Sequence, residues 1–312
     1  MSKLVKIAVA IIVNDKNEVL VSLRAKDVHQ GGLWEFPGGK LEKGESALNA
    51  LSREINEELN IEITSASAFK KIQYQYHDKT VQLNIFRIVS FSSEPIGAEG
   101  QQIKWQNIYD LVTSDFPLAN RSIIHALQLS DKYMITGGFE NHQDFENKLQ
   151  TSLEKGIKLV QLRCKNISSD EYKQLVKISW RLCKKFSAIL LLNTNESIFF
   201  DCESNGLHLS SQMLNSIQSR PIENKYFLSV SCHTKVEIEK AKKLNADIIL
   251  LSPVKETRSH PGVKGIGWKI FSNMAEDLNA PVYALGGMSE ADLCEAKKSG
   301  AQGVAAISSF WG

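Results

Sequence analysis

Short apolar runs at the start of the chain predict strands. Residues 7–13 form one such run and a second β-rich run reaches Arg24; Asn14-Asp15-Lys16-Asn17 lie between them, a pattern that predicts an opening hairpin. A second hairpin-like pair, residues 69–76 and 80–91, is broken at His77-Asp78-Lys79. Between the pairs, Leu48, Leu51, Ile55 and Leu59 recur at spacings of three, four and four, which predicts a helix over 46–59. The first domain is therefore expected to be mixed, with strands around one central helix. A further helix is expected from 118 to about 129, and only Ser130 to Lys132 separate it from the next strand, a linker too short for free tumbling.

From Tyr133 the rhythm changes to strict alternation of apolar runs and amphipathic segments. Strands are expected at 133–137, 159–163, 188–193, 206–210, 226–232, 247–254, 281–287 and 303–309. Eight parallel strands with seven helical connections predict a (β/α)₈ barrel. The alternative, an open doubly wound sheet, would more usually stop at five or six strands. Little chain follows the eighth strand before Gly312, so the last helix of such a barrel is expected to be missing, its flank covered by the first domain or by a second copy of the chain. The domains divide as 1–130 and 131–312.

Composition adds limits. A chain of 312 residues, 43% hydrophobic and 23% charged, fits two soluble domains. The formal charge of +2 gives no field for a nucleic-acid polymer or an anionic membrane, so phosphate chemistry must be local. Cys164, Cys183, Cys202, Cys232 and Cys294 are odd in number and lack CxxC spacing, which argues against a disulfide framework or zinc site and for a reducing cytoplasm. Lys3 and Lys6 near the first apolar run superficially resemble a signal peptide. The run is short for one and no small-residue cleavage site follows, so the strand expectation stands. No stretch approaches the ~18 to 20 apolar residues of a membrane span.

The chemistry concentrates in Arg53-Glu54-Ile55-Asn56-Glu57-Glu58-Leu59-Asn60. At about 100° per residue, Glu54, Glu57 and Glu58 share one arc of the helix, off the leucine stripe. Alone, such a cluster is usually a solvated face; together, three carboxylates suit a hard cation such as Mg2+. Just upstream, Pro37-Gly38-Gly39 allow a sharp turn that brings carbonyl oxygens close to whatever the helix binds. Gly39, Glu45, Arg53-Glu54, Glu57-Glu58 and Asn60-Ile61, at these spacings, resemble the Nudix box of nucleoside-diphosphate-linked pyrophosphatases. The resemblance implies a Nudix α/β/α sandwich. It also implies that Glu54, Glu57 and Glu58, with a carbonyl of Gly38 or Gly39, hold Mg2+, with Mn2+ as an alternative, against a substrate diphosphate. Arg53 would orient the glutamates with Glu45 as partner, and the general base would be a helix glutamate or Glu99. The family usually has glycine where Asn60 stands; asparagine is the next residue best able to turn left-handed past a helix end.

Further residues resemble the MutT-type branch, which removes oxidised guanine nucleotides in nucleotide-pool sanitation, a form of DNA repair. They are Arg24 and His29 near the box, and Asn120; Phe36 is a further candidate for the substrate pocket. In that branch an asparagine at the Asn120 position bonds the 8-oxoguanine edge, and an amide can both donate to O6 and accept from the N7 proton. Asn120 could equally be a helix cap. Trp34 and Phe36 alternate, so only one of them is expected in the pocket.

Residues 133–311 resemble the thiamine-phosphate synthase and thiazole tautomerase family. The resemblance implies that Gln161, Arg163, Lys165, Asn193, Ser231, His233 and Thr234 bind a phosphorylated or thiamine-related ligand, and that Gly286-Gly287 and Ile307-Ser308 cradle phosphate. Two aspartates that a synthase uses for Mg2+ are replaced by Thr194 and, around the second, Gln212-Met213, and a strand-six lysine by His260. The expectation is therefore ligand binding without synthase activity, with His233 available as an acid or base to a tautomerase. A sensing or dimerising role, with a homodimer partner, is the alternative. A thiamine-pathway diphosphate is the alternative substrate for the hydrolase.

Overall fold

The first strand feeds two cores at once. In the computed structural model, which describes residues 3–257 and 264–312, β1 (Lys3–Ile11) turns Val9 and Ile11 to one side and Ala8 and Ala10 to the other. This is the alternation a strand buried on both faces requires. β2 (Glu18–Leu23), β3 (Trp34–Glu35), β4 (Gly38–Lys40), α1 (Ala47–Leu59), β5 (Ile63–Gln75), β6 (Lys79–Phe91), β7 (Ile103–Asn107) and α2 (Arg121–Gln128) complete the first unit, Met1–Gln128. Its main sheet runs β4-β1-β6-β5, parallel between β1 and β6 and antiparallel elsewhere; β3-β2-β7 form a second, antiparallel sheet.

α1 buries Ala50, Leu51, Ile55 and Leu59 on the Ala8–Ala10 side, whereas Ile123 and Ile124 of α2 join Val9, Ile11, Leu83 and Ile85 on the other. The result is an α/β/α sandwich. Leu48, expected in the buried stripe of α1, is exposed, and Ala50 takes its place. The opening hairpin is only half formed. Val13 and Val19 bridge the turn, but β1 and β2 diverge into different sheets, because β1 pairs along its whole length with β6 and β2 pairs with β7. The β5–β6 hairpin forms as expected and is longer, starting at Ile63.

The second unit, Leu129–Gly312, is a closed barrel of eight parallel strands. Its elements alternate as β8 (Lys132–Ile135), α3 (His142–Glu154), β9 (Leu159–Leu162), α4 (Ser169–Lys185), β10 (Ile189–Leu192), α5 (Glu196–Phe200), β11 (Gly206–Leu209) and α6 (Ser211–Ser216). They continue with β12 (Phe227–Cys232), α7 (Lys235–Lys243), β13 (Ile248–Leu251), α8 (Gly267–Ala275), β14 (Val282–Leu285), α9 (Leu293–Lys298) and β15 (Gly303–Ala306). Tyr133, Leu159, Leu191, Leu250 and Tyr283 fill the interior, while Val160, Leu190, Val230 and Leu251 pack outward under the helices. After β15 the chain turns without forming a helix. Phe310 is buried there and Trp311 packs on Phe145 of α3 (centroids 5.4 Å), its Nε1 donating to the Gly138 carbonyl at 2.9 Å, so these two aromatics cover part of the flank beside β15. Among the described residues no helix is long and apolar enough to cross a membrane.

Candidate active site

The carboxylate helix begins at Ser46, whose side chain caps it by accepting from the Asn49 N–H at 3.2 Å. It ends at Asn60 in the left-handed conformation (φ 53°, ψ 38°), with the Asn60 N–H donating to the Asn56 carbonyl. Arg53 ties the acidic residues together. Its Nε and Nη2 donate to Glu45 (3.1 and 3.0 Å), and its Nη1 to Glu54 (2.9 Å) and Glu57 (3.2 Å). A fifth bond, Nη2 to the Lys40 carbonyl at 3.1 Å, fixes the guanidinium against β4. These bonds from Arg53 hold the Glu45 carboxyl below its ordinary range.

Glu58 points the other way, accepting the Gly38 N–H at 3.0 Å. Burial pushes its carboxyl up to about 8, against the pull of that N–H and with added repulsion from Glu35, Glu54 and Glu99. The Glu99 loop is pinned to the end of α1: the Glu58 carbonyl accepts from the Ala98 N–H (2.9 Å) and from Gln101 Nε2 (2.7 Å). Gly38 lies at φ 141°, a conformation glycine alone adopts readily, and Gly39 presses against the Glu54 carboxylate. Among the described residues no three His, Cys, Asp or Glu side chains are already gathered on one point, because Arg53 holds Glu54 and Glu57. The donor set nonetheless fits a divalent cation. Its oxygens are hard, and carboxylates that repel one another around half-buried Glu58 gain from a positive charge among them.

Beside this helix opens a cleft of about 630 Å³ that reaches Gly38 and Gly39 and brings together Arg24, His29, Phe36 and Asn120. Phe36 is buried and stacked on Phe116 (centroids 5.7 Å, 29°); Trp34 does not line the cleft and instead lies under Lys104, 3.8 Å from its ring. Arg24 pairs with Glu35 and donates through Nη2 to the His29 carbonyl at 2.9 Å. Asn120 ends a 3₁₀ turn, Leu118–Asn120, ahead of α2. It is buried in the cleft wall, and its side-chain amide makes no hydrogen bond among the described residues.

Gln161 is buried inside the barrel, donating to the Tyr133 hydroxyl at 3.2 Å. Asn193 donates to the His208 carbonyl (3.1 Å), and His233 Nδ1 lies 2.8 Å from the Ser252 carbonyl oxygen. Thr234 caps α7 in a capping box with Glu237. Arg163 is half-buried, while Lys165 and Ser308 are exposed. Gly286 and Gly287 hold positive φ, 100° and 64°. Thr194 is half-buried after β10 and Gln212 is exposed on α6. His260 lies outside the described residues.

Residues 132–310 match the family model described as thiamine monophosphate synthase, and residues 8–126 that of the NUDIX domain. The first unit is 39% identical, over 126 residues, to the 8-oxo-dGTP diphosphatase of Escherichia coli (strain K12), covering 40% of this chain and 98% of that protein. The barrel is 35% identical, over 184 residues, to an Aquifex aeolicus (strain VF5) protein named "Putative thiamine-phosphate synthase 2", covering 59% and 99%. The chain joins a Nudix hydrolase to a barrel of the thiamine monophosphate synthase family. A thiamine phosphate pyrophosphorylase from Pyrococcus furiosus shares the barrel's fold, with a TM-score of 0.50 at 21% identity over 62% of this chain and 88% of that one.

The Nudix unit is thus a pyrophosphohydrolase. Its site contains a residue that no sequence motif marks: Glu35, next to Phe36, is half-buried and salt-bridged to Arg24, with desolvation raising its carboxyl above the usual range against the pull of Arg24. The synthase-family barrel holds a polar chain that joins Gln161 and Ser231, named from the resemblance, to His208, Ser229 and Tyr133, which the motifs did not mark. His208 sits between Ser229 and Ser231 (2.9 Å each), Ser229 lies 3.3 Å from the Tyr133 hydroxyl, and Gln161 closes the chain. Burial, with the nearby Arg163, lowers His208 to about 3, so the ring is neutral and each nitrogen can meet a serine. Polar residues at alternate positions of β11 and β12 are the signal that could have revealed it.

Proposed function

We propose that the Nudix unit hydrolyses 8-oxo-dGTP to 8-oxo-dGMP and pyrophosphate in the presence of Mg2+, or of Mn2+ in its place. The observation that carries this is Asn120, which lines the same cleft that reaches the Gly38-Gly39 turn and whose side-chain amide makes no hydrogen bond among the described residues. Glu54, Glu57 and Glu58, with a carbonyl of Gly38 or Gly39, would hold the cation. When bound, Mg2+ neutralises diphosphate charge and makes water a better nucleophile. Arg53 keeps the glutamates in place through Glu45 and Lys40. A carboxylate of the cluster, on the helix or Glu99, accepts the proton of the attacking water.

The base lies against Phe36, near Arg24 and His29. Asn120 donates its amide N–H to O6 and accepts from the N7 proton that the oxidised base alone carries. Unoxidised guanine leaves that acceptor unpaired, a loss of ~1 to 3 kcal/mol. In the cytoplasm such turnover removes oxidised precursors before polymerisation. The barrel binds a phosphorylated or thiamine-related ligand near the Gly286-Gly287 turn without displacing diphosphate, since Thr194 and Gln212 bring no carboxylate.

The fused barrel favours one second reading, hydrolysis of a thiamine-pathway diphosphate by the Nudix unit. Steady-state assays of 8-oxo-dGTP, dGTP and hydroxymethylpyrimidine diphosphate side by side separate the two. Preference for 8-oxo-dGTP is expected; equal rates on dGTP, or faster turnover of the pyrimidine diphosphate, would sink the proposal.

A further inference from the structure

We infer that the Tyr76 hydroxyl reads the C8 keto oxygen of the oxidised base, a second specificity-determining group beside Asn120. The inference rests on the 8-oxo-dGTP reading of the cleft. Tyr76 follows β5 at the turn into β6, where its N–H donates to the Lys79 carbonyl (2.8 Å) and its own carbonyl accepts from Gln75 Nε2 (2.8 Å). The ring stands edge-on to His29 (5.3 Å, 89°) and tilted against Tyr74 (4.8 Å, 57°), so it is held from both sides.

The hydroxyl oxygen accepts the Ala119 N–H at 3.4 Å, which sets it against the turn that presents Asn120, and both residues line the cleft. A phenol has one proton to give. Among the described residues nothing accepts that proton. Burial holds the phenol above its ordinary range, so it stays protonated at neutral pH. Arg24, another donor of this wall, has Nη1 turned to Glu35 and Nη2 to the His29 carbonyl, away from the turn that presents Asn120, and its Nε is buried.

Oxidation of guanine changes two neighbouring positions: N7 gains a proton and C8 gains a keto oxygen. Asn120 offers an acceptor for the first. A donor seated at the adjoining residue suits the second, and C8–H of unoxidised guanine gives it nothing to bond. The two groups therefore check both halves of one chemical change.

The test is Tyr76→Phe in the full chain, with steady-state kinetics on the oxidised nucleotide and on dGTP. The ring and its contacts with His29 and Tyr74 remain, so the melting temperature should stay within a few degrees. The preference for the oxidised nucleotide over dGTP, taken as the ratio of their kcat/KM values, is expected to fall about tenfold, the loss of one good hydrogen bond. The fall should come from a raised KM toward the oxidised nucleotide, with kcat little changed. A preference within about twofold of the wild type, or a loss carried by kcat alone, overturns the inference. A wild-type enzyme without preference for the oxidised nucleotide overturns the substrate reading and this inference together. A wild-type preference that survives Tyr76→Phe overturns only the role of Tyr76.

Discussion

Glu58→Gln should lower kcat by about 10³-fold and leave the N-terminal unit at least as stable as the wild type. The two halves of this result have separate causes. Glu58 is half-buried, accepts the Gly38 N–H, and is repelled by Glu35, Glu54 and Glu99, so its charge is a burden to the apo fold. A glutamine oxygen can still accept the Gly38 N–H, and the neutral amide escapes the repulsion. The same loss of charge removes a hard ligand from the cation set, which only turnover registers. Glu57→Gln should also abolish turnover with little change in melting temperature, because Glu57 is half exposed and contributes one surface pair with Arg53. Melting by calorimetry and initial rates at saturating Mg2+ check both variants; activity surviving either change would remove that residue from the ligand set.

Alanine at the two adjacent glycines should fail in opposite ways. A Cβ on Gly38 would fall on the Ala8 carbonyl oxygen across the β1–β4 pairing, at a φ of 141° that alanine adopts only under strain. Backbone cannot move aside there, so Gly38→Ala should cost about 3 kcal/mol or more, a drop of roughly 10 °C in the melting of this unit. A Cβ on Gly39 meets instead the carboxylate of Glu54, the far end of a flexible side chain. Gly39→Ala should therefore fold, displace Glu54 from Arg53, and lose about 10²-fold in kcat. Calorimetry and kinetics of the pair distinguish a glycine that the strand needs from one that the site needs. Equal melting temperatures for the two variants would contradict the assignment.

The box residues were legible because their spacing states a geometry: a helix with one acidic and one apolar face, a glycine turn before it and a left-handed residue after it. Asn60 departs from the family's usual glycine and still adopts φ 53°, so the backbone's task survives the change of side chain. The barrel was legible as rhythm, eight buried runs at helix-length intervals. Sheet partnership was not. The turn at Asn14–Asn17 forms, but where β1 and β2 go next depends on β6 and β7, which lie far along the chain. Inside the barrel, Thr234 stands with Glu237 at capping-box spacing, a signal present in the sequence that competes with ligand binding as the reason for the threonine. Tyr76 carried no motif; its place beside Asn120 comes from the β5–β6 turn meeting the 3₁₀ turn before α2.

The most direct test of the account is the product pattern of the intact chain. 8-Oxo-dGTP is incubated with Mg2+ and the products are followed by ³¹P NMR, with a parallel sample in excess EDTA. Equal amounts of 8-oxo-dGMP and pyrophosphate, formed only without the chelator, are predicted. Release of orthophosphate as the first product, or turnover that persists in EDTA, would contradict a cation-dependent pyrophosphohydrolase built on Glu54, Glu57 and Glu58.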